Sequence, residues 1–161
     1  MRQTLPRLFS GLALLAALVV GATGTAQAAT DIKMDFGAPT RTVIDNGPAG
    51  SSVGDVVITT GDVLQKSTGK RIGYYSTNQT TVRADAGTRK EIRKVDLSIV
   101  LPKGTIFATA LIRATEGSPP TQNMNFAVVG GLGNYAGARG TLVHGPVAEQ
   151  QTFPVTITLL P

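Results

Sequence analysis

Residues 126–140, FAVVGGLGNYAGARG, constrain the fold more than any other stretch of the chain. An apolar run stops at a cluster of glycines and restarts at Ala138-Arg139-Gly140. Glycine alone reaches positive φ cheaply, so Gly130, Gly131, Gly133, Gly137 and Gly140 prescribe a tight backbone path between two extended segments. Gly131-Leu132-Gly133-Asn134-Tyr135-Ala136 also fits the loose dinucleotide-binding spacing. That fingerprint works only where it opens a helix whose N-terminus receives the pyrophosphate, and the chain from Ala138 onward reads as strand. The stretch is therefore a strand-to-strand turn.

The remainder of the chain repeats this alternation of extended run and turn. Ile32, Met34 and Phe36 alternate with Asp31, Lys33 and Asp35, the period of a half-buried strand. Pro39 interrupts, and Arg41 to Ile44 resumes an extended run that is either the same strand bent or a second one. After the Asn46 to Ser52 loop, Gly54 to Leu64 and Arg71 to Arg83 form a hairpin about the polar turn Ser67-Thr68-Gly69-Lys70. From Lys90 to Leu101, Arg93, Val95, Leu97, Ile99 and Leu101 share one face, and Ile92, Lys94, Asp96, Ser98 and Val100 the other. Pro102-Lys103-Gly104 turns the chain into Thr105 to Thr115, where Ile106, Ala108, Ala110, Ile112 and Ala114 form a face of small residues able to leave space inside a barrel. Gly140 to Val147 and Thr152 to Leu160 are the last strands. No segment has room for a crossover helix, so the strands are consecutive and antiparallel. Roughly eight of them close into an all-β, eight-stranded antiparallel up-and-down β-barrel, which leaves no exposed edge.

Met1 to Ala28 reads as a secretory signal: Arg2 and Arg7, an apolar run from Leu8 to Val20, then Ala26-Gln27-Ala28 as a cleavage site. Its removal would leave residues 29–161 as a single domain, secreted and without a membrane anchor, or periplasmic where the host has an outer membrane. The formal charge of +5 would fall to +3 with the loss of Arg2 and Arg7. Nucleic acid is not implied. The basic run Arg89-Lys90-Glu91-Ile92-Arg93-Lys94 lacks aromatic interleaving and reads as a solvated strand end. The chain has no cysteine, which removes disulfides, thiolate nucleophiles and thiolate metal sites. His144 is the sole histidine; with no second one a zinc site is disfavoured, no metal or other cofactor is expected, and His144 reads as an ordinary strand residue.

Phe126 to Gly140 resembles the signature of dirigent proteins in the allene oxide cyclase and dirigent superfamily: an apolar strand, two glycines, a third glycine, an aromatic residue and Ala-Arg-Gly. Gly54-Asp55-Val56-Val57, Asp62-Val63-Leu64 and Gly69-Lys70-Arg71-Ile72-Gly73 fall where that superfamily has its first barrel strand and the following hairpin. The resemblance implies an eight-stranded antiparallel barrel, often a homotrimer, with a central apolar cavity. It also supplies the reaction class, an isomerase or cyclase type of activity or a dirigent one. The chain departs from the pattern at Leu132, where a threonine is usual, and at Gly61-Asp62, where plant dirigent proteins carry paired aspartates.

Asp62 and Arg139 are the candidate catalytic pair. A carboxylate at the mouth of an apolar barrel, facing a guanidinium, could orient a phenol or carboxyl and move a proton; Arg139 could equally tie down the glycine turn. Tyr74, Asp96 and Tyr135 are candidate ligand-binding residues, with the strand register deciding which of them face inward. The resulting expectation is a secreted barrel that binds a small apolar or phenolic molecule and steers its cyclisation or coupling. The alternative is a non-catalytic secreted barrel that carries a ligand or acts through its surface.

Overall fold

The computed structural model describes residues 29–161 apart from 86, 149 and 150. The expected export signal, residues 1–28, lies outside the described residues. Nine strands follow in order: β1 (Thr30–Phe36), β2 (Thr40–Ile44), β3 (Val56–Gln65), β4 (Arg71–Asp85), β5 (Lys90–Leu101), β6 (Gly104–Thr115), β7 (Met124–Gly133), β8 (Gly140–His144) and β9 (Phe153–Leu159). Every pairing is antiparallel, and each strand from β3 to β9 is bonded to its sequence neighbour. β9 then pairs with β1, and β1 with β3, which closes an eight-stranded barrel with β2 as one extra strand.

The open question about the first extended run is thereby resolved. Gly37-Ala38-Pro39 breaks it into two strands that follow one another along the same edge of β3: Met34–Phe36 against Gln65–Val63, then Thr40–Ile44 against Thr60–Val56. Proline cannot donate to a ladder, so the break at Pro39 is where this strand leaves the barrel wall. β8 stops at His144, short of the expected Val147: Gly145 still donates its N–H to the Pro154 carbonyl of β9, but Pro146 and Pro154 have no N–H with which to extend the ladder.

The period-two patterning selects the interior. On β5 the odd face, from Glu91 through Arg93, Val95, Leu97 and Ile99 to Leu101, is buried. The small-residue face of β6 also points inward, with Ile106 and Ala108 buried and Ala110 and Ile112 packed against the core. One end of the barrel is plugged by Met34, Val63, Ile99, Ile106, Leu142 and Ile157, and full burial of each such side chain contributes roughly 2 kcal/mol. At this closed end lie the β3–β4, β5–β6 and β7–β8 turns. The β7–β8 turn is the glycine stretch: Gly133, Gly137 and Gly140 take φ of 63°, 74° and 152°. A Cβ on Gly140 would sit 2.0 Å from the Thr158 carbonyl oxygen, so only glycine lets β8 begin against β9 there. The β4–β5, β6–β7 and β8–β9 connections crown the opposite end, which is open.

Candidate functional site

The open end leads into a cavity of about 940 Å³. One wall is aromatic. Phe36, at the end of β1, stacks on Tyr75 of β4 with ring centroids 4.0 Å apart and planes 10° from parallel. His144 meets Phe36 edge-on at 5.6 Å and lies 5.2 Å from Phe153, and Phe126 completes the lining. Tyr75 fits because β3 carries Gly61 opposite it: a Cβ there would lie 2.6 Å from a ring carbon. The Gly61-Asp62 departure from the dirigent pattern thus has a local use, making room for a ring.

Two groups on this wall are chemically distinctive. The Tyr75 hydroxyl donates to the Gly37 carbonyl at 3.3 Å, and burial pushes its pKa up to about 12, so it stays a protonated donor. His144 is largely buried, and this desolvation holds its pKa below the usual value of 6.5 against the opposing pull of backbone groups at Gly145 and at His144 itself. Its Nδ1 has no hydrogen-bond partner among the described residues. A neutral imidazole, its Nδ1 sealed from solvent, thereby sits among aromatic rings that line a cavity.

The second wall is polar and is built by β3, β4 and β5. Gln79 donates from Nε2 to the hydroxyls of Thr77 and Thr59, at 3.2 and 3.4 Å, and its Oε1 accepts from Arg93 Nη1 at 3.3 Å. Arg93 in turn donates to Glu91 Oε2 through both Nε and Nη2. Both members of this pair are buried, Glu91 4% and Arg93 6% exposed, which corrects the reading of residues 89–94 as a solvated strand end. Arg41 of β2 lies opposite Thr59 and lines the cavity beside this ladder. Among the described residues no three His, Cys, Asp or Glu side chains gather as a metal site.

None of the five residues singled out from the sequence lines this cavity. Asp62 and Arg139 do not meet. Asp62 is on the outer face of β3, where its carboxylate takes Arg71 Nε at 2.9 Å, while Arg139 is exposed on the turn at the closed end. Asp62 and Tyr74 are cross-strand partners and share a shallow outer depression of about 430 Å³ beside Ala38 and Thr40. Asp96 also points outward. Hydrogen bonds from Lys94 Nζ at 2.6 Å and Thr109 Oγ1 at 2.9 Å hold its carboxyl below the ordinary range. Tyr135 packs half-buried against the core from the glycine turn.

The cavity residues that sequence reasoning passed over carried a signal. Arg93 shares its strand face with Val95, Leu97 and Ile99, and a charge on an apolar face is informative. His144 stands two residues from Leu142 on a five-residue strand, hence on the same inward face.

The model of the allene oxide cyclase barrel-like domain matches residues 23–159. The chain belongs to that family. Among solved structures, this family member superposes on pyocyanin demethylase with a TM-score of 0.67 and 23% identity, covering 81% of this chain and 99% of that one. It is similar to the Diels–Alderase AbmU from Streptomyces koyangensis, with a TM-score of 0.60, 13% identity, and 87% and 72% of the two chains covered. It is also similar to a pterocarpan synthase dirigent protein, with a TM-score of 0.58, 16% identity, and 84% and 96% covered. At these identities the likeness is one of fold. No curated protein sequence matched the chain significantly.

Proposed function

We propose that this protein is an exported barrel that binds a small, planar apolar or phenolic molecule in its open-ended cavity and steers its cyclisation or coupling. The observation that carries the reading is the cavity itself: about 940 Å³, with a stacked aromatic cluster beside a hydrogen-bonded polar row. Such a space holds a flat ligand in one orientation, and orientation alone removes much of the entropic barrier to a single ring closure or coupling face. His144 lines the cavity, and its imidazole is suited to bond the polar atom of the ligand, as acceptor of a phenolic proton or as donor to a carbonyl according to its tautomer. The family's cyclases and dirigent proteins support a steering role, and the apolar run with its Ala26-Gln27-Ala28 site supports export.

The specific alternative is carriage without chemistry. It is favoured by the Glu91–Arg93 pair, whose charges satisfy each other and so are not free for proton transfer. Native mass spectrometry of protein recovered from the culture medium tests the reading. The expected species is a chain starting at Ala29, assembled as a trimer, that retains or takes up one planar aromatic molecule per subunit. A protein that saturates with no such molecule at millimolar concentration would refute the cavity as a binding site. If a ligand is bound but its product mixture equals that formed in buffer, carriage replaces steering.

A further inference from the structure

Charge is distributed unevenly around the cavity. Five cationic side chains line it, Arg41, Arg83, Lys90, Arg93 and Arg113, against the two carboxylates Asp85 and Glu91. Arg93 is taken up by Glu91, and Glu116, the next carboxylate on the rim, is taken up by Arg89 at 3.2 Å. Arg41, Arg83, Lys90 and Arg113 form no ion pair among the described residues. Arg41 is the one whose register places it on the inward face, in a cross-strand row with Thr59 and Thr77. Asp85, the remaining carboxylate, already accepts from the Gly87 N–H at 3.1 Å.

Resting on the binding role proposed above, we infer that the ligand is an aromatic anion: a planar ring system carrying a carboxylate or another compact anionic group. The ring lies against Phe36, Tyr75 and Phe153, and the anion faces Arg41 and the hydroxyls of Thr59 and Thr77. Three features favour this over a neutral ligand. The lining carries a surplus of unpaired positive charge, which raises the local concentration of anions and their association rate. A guanidinium gives a carboxylate a bidentate, charge-assisted pair. The aromatic cluster adjoins that polar row, Tyr75 standing two residues from Thr77 on the inward face of β4, so the site's aromatic and polar parts match the two ends of such a molecule and oppose its inversion.

Calorimetric titration of the purified protein with 1-naphthoate and with the neutral isostere naphthalene-1-carboxamide separates the possibilities. The expected result is that naphthoate binds roughly tenfold more tightly than the amide, the scale of one hydrogen-bonded charge pair. This preference should shrink as salt is raised from about 50 to about 500 mM, where charges on the lining are strongly screened. R41Q should abolish it by weakening naphthoate far more than the amide, and Arg41, solvent-exposed on the extra strand β2, can be replaced without disturbing the barrel's pairing. Equal binding of amide and naphthoate would overturn the anion assignment and leave the cavity reading standing. Retention of the preference in R41Q would overturn the placement of the anion on the polar wall. If neither ring compound binds, the cavity reading fails and this inference fails with it.

Discussion

The two ends of the barrel differ in how they are specified. At the closed end the backbone is dictated: positive-φ glycines at 133, 137 and 140 and a Cβ-free approach to Thr158 leave one path for the β7–β8 turn, with apolar side chains sealing the space behind it. At the open end no backbone motif recurs. What defines it is a set of inward side chains on β1, β4, β5, β8 and β9 whose partners come mostly from other strands: Tyr75 with Gly37 and Phe36, Arg93 with Gln79 as well as its strand neighbour Glu91, His144 with Phe153. One end therefore carries the recognisable sequence and the other carries the cavity. A family signature here reports the architecture and is silent about the chemistry.

The strongest way to break that comparison is at the closed end. Gly140→Ala should cost on the order of 4 kcal/mol, since the new methyl collides with a backbone carbonyl that cannot move without tearing β9 from β8. Gly130→Ala, ten residues earlier in the same motif, meets nothing within 4 Å and should change stability by less than about 1 kcal/mol. Urea unfolding of the two variants checks the contrast, and equal costs would mean that the motif is not read through the backbone. The open end offers the next largest effect. Glu91→Ala strands a buried guanidinium and should cost about 3 kcal/mol in the same assay, whereas the double replacement Glu91→Leu with Arg93→Met should recover most of it. A cost confined to the pair would show that the polar wall is a self-contained network.

How far the sequence could be read follows the same division. The order of the strands, most of the turns and the two faces of β5 and β6 were legible because alternation is local and needs only the period of two, while an end such as that of β8 was not. The glycine turn was legible for the same reason. The candidate site was not, because Asp62 and Arg139 come from two separate motifs far apart in the chain, while contacts at the site are set by register across strands. Asp62 lands on Arg71 because β3 pairs with β4 through Asp62 and Tyr74. His144 and Glu91 looked ordinary because neither sits in a motif, and burial is a property of the closed sheet that no single strand displays. Strand parity does carry part of it: extending the apolar face of β5 back two and four residues from Val95 reaches Arg93 and Glu91.

A smaller effect sharpens the comparison at the open end. His144→Phe removes an unpartnered buried nitrogen and keeps an aromatic ring, so stability should hold or rise by about 1 kcal/mol. Binding of a phenol such as 2-naphthol, followed by calorimetry, should weaken roughly tenfold because the wall loses its hydrogen-bonding atom. Unchanged phenol affinity would remove His144 from the site. In the wild type this affinity should not change from pH 8 down to pH 6.5, since the imidazole stays neutral to a pH below its ordinary value.

The rim loop adds a pH signature. Asp55 is buried at the start of β3; burial alone would raise its pKa, but the N–H groups of Ser52 and Asn46, the Ser52 hydroxyl and the charge of Arg93 together lower it below 3.8. A carboxyl with a lowered folded-state pKa adds stability that is complete above its unfolded value and disappears as pH falls through the folded one. Asp55→Asn should therefore cost about 1–2 kcal/mol at pH 7, and the gap to wild type should close as pH drops below about 4. Thermal unfolding across pH 3–7 reads it, and a gap that does not vary with pH would assign the cost to shape and not to charge.

The smallest effect belongs to the residue that the motif makes most conspicuous. Arg139 is exposed on the turn at the closed end, and it is its backbone carbonyl, not its guanidinium, that accepts the Leu160 N–H at 2.8 Å. That bond survives any side-chain substitution. The guanidinium forms no ion pair among the described residues and lies at the end of the barrel away from the cavity. Arg139→Ala should accordingly shift stability by no more than about 0.5 kcal/mol and leave 2-naphthol affinity within twofold of wild type, beside the tenfold loss in His144→Phe. A loss of binding in Arg139→Ala with the fold intact would join the two ends functionally and end the division of labour between them. A loss of the fold would show that the side chain, and not the glycines alone, sets the path of the turn.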